Sequence, residues 1–234
     1  MDLVFATGNA GKLREAAEIL GPAYRVLSPA DVGLPGFDVE ETGTTFRENS
    51  LLKARALWQA CGLPCFADDS GLEVDALGGA PGIYSARYAS DHNFASNIDR
   101  LLTELETIKL AGAPPEGRNT RGSIAGGPSR RDGGVSPKGE LPKGEYLPTF
   151  VGKARFRCVV TLILEDGKPR FFDGACEGRI ARECHGAGGF GYDPVFVPDL
   201  YPNLTMAELS EDAKNAISHR GVALRLMATY LATK

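Results

Sequence analysis

The chain has 234 residues, of which 43% are hydrophobic and 24% are charged, and its formal net charge is -4. These values are typical of a globular protein with one large core or two modest ones, and so mild a charge gives no indication of nucleic-acid or membrane-surface binding. The first apolar run, residues 3–6, is too short for a secretory signal, and no stretch approaches the roughly 20 apolar residues of a membrane span. We therefore expect a cytosolic protein that binds neither nucleic acid nor membranes.

The chain opens with a predicted strand, a glycine loop and a helix. Residues 3–6 are followed by Thr7-Gly8-Asn9-Ala10-Gly11-Lys12, and the apolar spacing of residues 12–20 is helical. Such a loop exposes backbone N–H groups at a helix N-terminus, where the helix dipole favours an anion, and Lys12 adds a positive charge. It is not a Walker A loop, because its glycines are too close together and no Ser or Thr follows the lysine. A plain turn between a strand and a helix is the alternative interpretation.

Two acids precede the second predicted helix. After an irregular connection with one short strand near residues 24–27, Glu40 and Glu41 stand just before a capping box formed by Thr45 and Glu48. Apolar positions continue this helix to residue 60. The two acids belong either to a solvated loop or to a cluster with the acids that follow.

A second acidic pair ends a short apolar run. Asp68 and Asp69 follow the predicted strand of residues 65–67, and two adjacent carboxylates are costly to bury without a cation or a proton. Because side chains alternate along a strand, both acids can face one cleft only if the chain turns, and Ser70-Gly71 is predicted to supply the turn. The pair would then lie at the carboxyl end of a strand, where open α/β sheets bind ligands. A solvated Asp-Asp turn is the alternative.

The middle of the chain contains a predicted insertion. Residues 72–77 read as a half-exposed strand and residues 94–105 as a helix. Residues 108–152 have no apolar periodicity, are rich in Gly and Pro, and carry seven Lys or Arg against four acids. At so low a charge density a solvated loop is favoured over a site for nucleic acid or an acidic partner. We expect one domain of residues 1–234 that carries residues 108–152 as a surface insertion.

The last third of the chain begins with a hairpin and a second glycine loop. Residues 154–164 are the clearest strand, Asp166-Gly167 predicts a turn into residues 170–174, and residues 176–181 can extend the sheet. The loop of residues 186–194 leads into a strand at residues 195–197. It lets the backbone approach a ligand, with Phe190 or Tyr192 as a stacking face for a base. A tight turn with inward-packed aromatics is an equally good interpretation.

A basic cluster lies on the last predicted helix. The helical pattern of residues 213–231 is interrupted at Gly221. Lys214, His219 and Arg220 form a cluster of hydrogen-bond donors that suits an anion or a base edge.

Six motifs stand in order along the chain: Thr7-Gly8-Asn9-Ala10-Gly11-Lys12, Glu40-Glu41-Thr42-Gly43, Ala67-Asp68-Asp69-Ser70-Gly71, Gly79-Ala80-Pro81-Gly82-Ile83-Tyr84-Ser85-Ala86-Arg87-Tyr88, Gly188-Gly189-Phe190-Gly191-Tyr192-Asp193-Pro194 and Ser218-His219-Arg220-Gly221. Together they resemble the inosine triphosphate pyrophosphatase family, whose members hydrolyse non-standard purine nucleoside triphosphates such as ITP, dITP and XTP to the monophosphate and pyrophosphate. The resemblance covers nearly the whole chain except residues 108–152, where this chain is much longer than the family's usual connection.

The resemblance implies a fold and a cofactor. The fold is α/β, with an elongated mixed central sheet, flanking helices, two lobes and a central cleft, and it is usually assembled as a homodimer. A nucleoside triphosphate brings about four negative charges, so Mg²⁺ is implied to neutralise the phosphates and orient the scissile bond. Glu40 and Asp69 are the first-choice metal ligands, with Glu41 and Asp68 close behind, since Mg²⁺ prefers oxygen. Asp69 is also the expected acceptor of the attacking water's proton.

The resemblance also implies the substrate contacts. Asn9 and Lys12 are expected to hold the phosphates, and donors such as His219 or Arg220 would favour the six-oxo group of hypoxanthine and xanthine over the amino group of adenine. The full set implied to bind substrate is Thr7, Gly8, Asn9, Ala10, Gly11, Lys12, Ser70, Phe190, Gly191, Tyr192, Asp193, Lys214, His219 and Arg220.

Two other functions compete with this one. A related nucleotide pyrophosphatase could prefer another base, and a nucleotide sensor could bind without catalysis. The presence of all the expected catalytic acids favours the enzyme.

Overall fold

The computed structural model describes residues 1–90, 93–112 and 149–233. Over these residues it has a mixed α/β architecture, as predicted. No helix in these three ranges combines the length and the apolar composition needed to cross a membrane. The strands are β1 (Asp2–Phe5), β2 (Arg25–Leu27), β3 (Cys65–Val74), β4 (Phe150–Ile163), β5 (Pro169–Ala181) and β6 (Phe196–Pro198). The α-helices are α1 (Ala10–Leu20), α2 (Phe46–Cys61), α3 (Phe94–Gly112), α4 (Glu211–Ile217) and α5 (His219–Leu231), and 3-10 turns lie at Ala30–Val32, Asp75–Leu77, Gly82–Arg87 and Met206–Glu208.

One mixed sheet carries the fold, in the order β2-β1-β3-β4-β5-β6. β1 runs parallel to β2 and β3, whereas β3, β4, β5 and β6 pair antiparallel in turn. The β4–β5 hairpin is long, since its pairing runs from Phe150 opposite Ala181 to Ile163 opposite Pro169. The hairpin therefore sets the long dimension of the sheet.

Separate cores lie at the two ends of this hairpin. Near its turn, α1 and α5 pack on one sheet face, for example Leu224 with Phe66, and α2 packs on the other face, for example Leu57 with Ala67. At the far end, Leu101 of α3 belongs to a third buried cluster, which shares no buried residue with the two clusters near the turn. The two ends correspond to the two lobes that the family resemblance implied.

The turn predicted at Ser70-Gly71 is wrong, because β3 continues through it to Val74. Gly71 has another role: a Cβ there would lie 2.3 Å from the carbonyl oxygen of Gly82, so glycine lets the 3-10 turn Gly82–Arg87 pack directly on the strand. The strand predicted for residues 72–77 likewise ends at Val74, and a 3-10 turn follows it.

Both ends of the predicted insertion belong to regular elements. α3 continues to Gly112 and β4 begins at Phe150, so the boundaries at residues 108 and 152 are wrong. Ile108 is three residues beyond Leu105 and continues the helical spacing. Residues 113–148, which hold the rest of the predicted insertion, lie outside the described residues.

The interruption of the last helix lies at Ser218, not at Gly221. Ser218 separates α4 from α5, and its hydroxyl accepts a hydrogen bond from the Gly221 N–H at 2.9 Å as the N-cap of α5. Gly221 lies inside α5, where a Cβ would be 2.4 Å from the carbonyl oxygen of Asn215. The glycine therefore permits close packing against α4 and does not end the helix.

Candidate active site

A cavity of about 430 Å³ lies along an uncovered edge of β3. β1 pairs with β3 only at Cys65 and Phe66, and over residues 67–71 the only strand partner of β3 in the described chain is β4. Side chains from both faces of the sheet can therefore reach the same cavity around this edge. Its volume is within the usual range for small-molecule sites.

Asp68 and Asp69 lie on opposite faces of the sheet. Asp68 accepts hydrogen bonds from Lys12 Nζ at 2.9 Å and Arg220 Nε at 2.8 Å, on the side of α1 and α5. Asp69 accepts from Asn49 Nδ2 at 3.3 Å and Lys53 Nζ at 3.2 Å, on the side of α2. The two acids alternate as neighbours in a strand must, and only Asp69 lines the cavity.

The two acids have opposite electrostatic environments. Burial would raise the pKa of Asp68, but Lys12 and Arg220 outweigh it and hold that pKa well below its ordinary value. Burial raises the pKa of Asp69 to about 6, with Lys53 opposing the increase and Glu41 adding to it. Asp68 is thus a fixed anion, whereas Asp69 can exchange a proton near neutral pH.

Lys53 connects Asp69 to the preceding acidic motif. Its ammonium donates to a carboxylate oxygen of Glu41 as well as to Asp69. Burial lowers its pKa, but the nearby acids, Asp69 first, outweigh this and raise it overall. Of the two adjacent glutamates, Glu41 lines the cavity, while Glu40 is exposed and is not among the lining residues. No group of three or more His, Cys, Asp or Glu in the described ranges is arranged as a metal site.

Arg220 is a buried anchor in the wall of the cavity. The residue is 1% exposed. Its guanidinium donates hydrogen bonds to Asp68, to Glu15 and, at 3.3 Å, to Ser70 Oγ. Burial lowers the pKa of Arg220, but Asp68 and Glu15 outweigh this and raise it overall. Glu15 also accepts from Ser218 Oγ at 3.0 Å, which ties α1 to the start of α5. Ser70, which accepts from Arg220, also lines the cavity.

The second glycine loop presents Phe190. One carboxylate oxygen of Asp193 accepts from the Phe190 N–H at 2.8 Å and from Lys214 Nζ at 2.6 Å. The ammonium of Lys214 lies 4.6 Å from the centre of the Phe190 ring, which is 41% exposed. Gly189 is required here, since a Cβ would lie 2.1 Å from the Asp193 carboxylate. Phe190 is therefore an accessible aromatic face that Asp193 holds in place.

Tyr192 does not offer the same face. It is 2% exposed, and its hydroxyl donates to the carbonyl oxygen of Ser85 at 3.0 Å. The two aromatics of this loop therefore differ: Tyr192 packs inward, as the tight-turn interpretation expects, whereas Phe190 remains exposed. Gly191 lines the cavity between them.

His219 is buried against an aromatic ring at the cavity wall. Its imidazole stacks on Phe156 with ring centroids 4.9 Å apart. Burial, assisted by Arg220, places its pKa well below 6.5, so the imidazole is neutral. Its buried Nδ1 has no hydrogen-bond partner within the described part of the chain.

The first glycine loop contributes two of its six residues to the cavity. Asn9 and Lys12 line it, whereas the other four predicted contacts of this loop do not. Asn9 also caps α1, because its Oδ1 accepts from the N–H groups of Gly11 and Lys12. The four residues of this loop that do not line the cavity are Thr7, Gly8, Ala10 and Gly11.

The sequence motifs did not identify Asn49, Lys53 or Glu15 as site residues, although these three contact the predicted ones. A usable signal was present, because Asn49 and Lys53 are four residues apart on α2 and therefore share a helix face. Glu15 is likewise three residues after Lys12 on α1.

A larger and more open concavity, about 530 Å³, lies beside the N-terminus of α2. It is lined by Arg47, Tyr84, Arg157 and their neighbours, and by none of the predicted site residues. The acids and phosphate-compatible cations converge on the smaller cavity, which is therefore the candidate active site.

Comparison with known proteins identifies a family. A sequence model of the Ham1 family matches residues 3–117 and 147–230. The chain is 42% identical over 232 residues to a dITP/XTP pyrophosphatase of Thioalkalivibrio sulfidiphilus, covering 97% of this chain and 96% of that protein. It is 39% identical over 230 residues to a dITP/XTP pyrophosphatase of Porphyromonas gingivalis, covering 98% and 96%.

Solved structures agree with the sequence matches. A HAM1 protein from Coxiella burnetii is 34% identical, with a TM-score of 0.75 and 100% of both chains covered. The Staphylococcus aureus Ham1 protein is 36% identical, with a TM-score of 0.73 and 100% and 99% covered. These matches confirm the family resemblance drawn from the six motifs.

Proposed function

The chain belongs to the Ham1 family, and from this premise we propose that it hydrolyses the non-standard purine nucleoside triphosphates ITP, dITP and XTP to the nucleoside monophosphate and pyrophosphate. The observation that carries the proposal is the cavity-lining Asp69, whose pKa of about 6 suits a general base. Lys12 and Lys53 lie in the same cavity, and positive side chains are what a triphosphate requires.

Asp69 takes the proton of the attacking water. As the water oxygen bonds to the α-phosphorus, the bond from that phosphorus to the oxygen bridging the β-phosphorus breaks, and pyrophosphate leaves with the bridging oxygen. Lys53 lies beside the Asp69 carboxylate and can stabilise charge on the phosphates, while Asn9 and Lys12 hold them from the α1 side.

Mg²⁺ is the proposed cofactor, and the donor chemistry fits it. Asp69 and Glu41 present carboxylate oxygens on the two sides of Lys53, and Mg²⁺ prefers oxygen ligands. We assign Asp69 and Glu41 as the residues that would hold it, in place of the exposed Glu40. When bound, the ion would neutralise phosphate charge.

Phe190, Lys214 and His219 are proposed to recognise the base. Phe190 supplies a stacking face, and the unpartnered Nδ1 of the neutral His219 can form a hydrogen bond to a purine edge. Arg220 directs its donors to Asp68, Glu15 and Ser70, so we assign it to shaping the wall of the cavity.

The first test is a parallel incubation of the pure protein with inosine, xanthosine, guanosine and adenosine triphosphates plus Mg²⁺, with pyrophosphate and orthophosphate measured separately. Pyrophosphate from inosine and xanthosine triphosphates alone supports both the cleaved bond and the base selectivity. Orthophosphate instead means attack at the terminal phosphorus. Nucleotide binding without any product favours the sensor function.

The domain organisation, assembly and location of the protein are also proposed. We propose one domain over residues 1–234, a homodimeric assembly and a cytosolic location, as the family resemblance and the sequence suggest. Light scattering coupled to size exclusion tests the assembly, and a monomer at micromolar concentration would contradict it.

A further inference from the structure

Asn49 joins the two acidic segments of the candidate site. It is 0% exposed, and its Nδ2 donates to Asp69 Oδ2 at 3.3 Å. Its Oδ1 accepts from the N–H of Gly43 at 2.8 Å, two residues after Glu41. One carboxamide therefore contacts both the general base and the segment that carries the second acid.

The chemistry of the partners fixes the orientation of this carboxamide. The Gly43 N–H can only donate, and the ionised Asp69 carboxylate can only accept. A flipped amide would place donor against donor and acceptor against acceptor, which is costly in a buried site. Gly43 also lies close to Asn49, since a Cβ there would be 2.6 Å from Asn49 Oδ1.

Asn49 and Lys53 connect the same two segments in different ways. Lys53 joins Glu41 to Asp69 through charge, on a long side chain that can move to a phosphate when substrate binds. Asn49 is short and completely buried on the same face of α2, so its position is fixed by the helix. The hydrogen bonds of the uncharged Asn49 side chain can persist while Lys53 changes partners.

We propose that Asn49 is a positioning residue that holds the Asp69 carboxylate in register with the segment of Glu41 during turnover. This role rests on the proposed function of the cavity. Residues that orient a group at the reacting centre typically contribute 10–100-fold to activity, and we expect a fall in kcat of about that size when the contact to Asp69 is lost.

Two variants separate the two hydrogen bonds. Asn49→Asp keeps an acceptor for the Gly43 N–H but replaces the donor to Asp69 with a carboxylate oxygen. Asn49→Ala removes both. Ser50→Ala is the matched control, because Ser50 is the next residue of α2, is equally buried, and its hydroxyl contacts Thr161 and not Asp69.

The expected result combines kinetics with hydrogen exchange of the Gly43 amide. Both Asn49 variants lose about 10–100-fold in kcat for ITP, with a much smaller change in KM because the phosphate and base contacts lie elsewhere. The Gly43 amide exchanges faster in Asn49→Ala and stays protected in Asn49→Asp. Ser50→Ala retains the wild-type kcat and Gly43 protection, whatever it loses in melting temperature.

Three outcomes would overturn the role of Asn49: a kcat within twofold of the Ser50→Ala value in either variant, an equal fall in kcat in all three variants, or unchanged Gly43 exchange in Asn49→Ala. If Asn49→Asp does not fold, the Gly43 amide exchange and the kcat of Asn49→Ala still test the role of Asn49. A wild-type protein that releases no pyrophosphate from any nucleotide would overturn the proposed function instead.

Discussion

Arg220 Nε lies 2.8 Å from Asp68 Oδ2, and the two side chains are 2% and 1% exposed. A buried ion pair of this kind is not by itself strong support for stability, but removing one partner leaves an uncompensated charge in the interior. Here the same arginine also pairs with Glu15, so two acids depend on it.

Arg220→Met should therefore lower the free energy of unfolding by about 3–5 kcal/mol, because Asp68 and Glu15 stay buried without their partner. Denaturation by urea, with wild type in parallel, measures the change. Arg25→Met removes an exposed pair with Asp2 and should have a far smaller effect. Equal effects of the two substitutions would contradict the anchoring role of Arg220.

Asp69→Asn should abolish turnover and leave the fold intact. Loss of a general base typically costs 10²–10⁴-fold, and an amide cannot take the proton of water. The measurement is pyrophosphate release from ITP, with circular dichroism to check folding. Asp173→Asn, on an exposed acid of β5, is the control. Substantial activity of Asp69→Asn would remove Asp69 from the proposed role.

The raised pKa of Asp69 should make stability depend on pH in the metal-free protein. Its folded pKa of about 6 exceeds its ordinary 3.8, so between these values the native state binds a proton that the unfolded state releases. Stability conferred by this proton is present at low pH and is lost as the pH rises through about 6. The melting temperature of the wild type minus that of Asp69→Asn, measured in chelator, should fall between pH 4 and pH 7. A flat difference would mean that the carboxyl titrates with an ordinary pKa.

Phe190→Ala should raise KM for ITP and XTP more than it lowers kcat. Stacking of a base on an aromatic side chain contributes about 1–3 kcal/mol, which corresponds to roughly 5- to 150-fold in binding. Because the ring is 41% exposed, the melting temperature should change little. Tyr84→Ala, which removes a 56% exposed ring outside the cavity, is the control and should leave KM unchanged. An unchanged KM in Phe190→Ala would mean that the base binds elsewhere.

Deletion of residues 118–146 should preserve activity. The family model matches the chain on both sides of this segment and not within it, and loop-closure entropy depends only weakly on loop length. The deletion is narrower than residues 108–152, because Ile108 belongs to α3 and Phe150 to β4. Activity and melting temperature of the shortened chain are the readouts, and failure to fold would show that the segment supports the core.

Local patterns in the sequence predicted most elements of the fold. The capping box of Thr45 and Glu48 starts α2, and Asp166-Gly167 joins β4 to β5 as predicted. Caps, turns and apolar periodicity act between residues close in sequence, so a single chain is enough to identify them. The residues of the six motifs and their order along the chain likewise identified the family.

Contacts between distant segments were decided only by the tertiary structure. The sequence placed both adjacent aspartates in one cleft through a turn. In the structure, β3 is continuous through that position, its two aspartates lie on opposite faces, and only Asp69 lines the cavity. The pairing of Asp68 with Arg220 spans 152 positions, and that of Asn49 with Asp69 spans 20. Burial and the neighbouring charges that set the pKa values of these acids arise only when α1, α2 and α5 pack on the sheet, which no local pattern specifies.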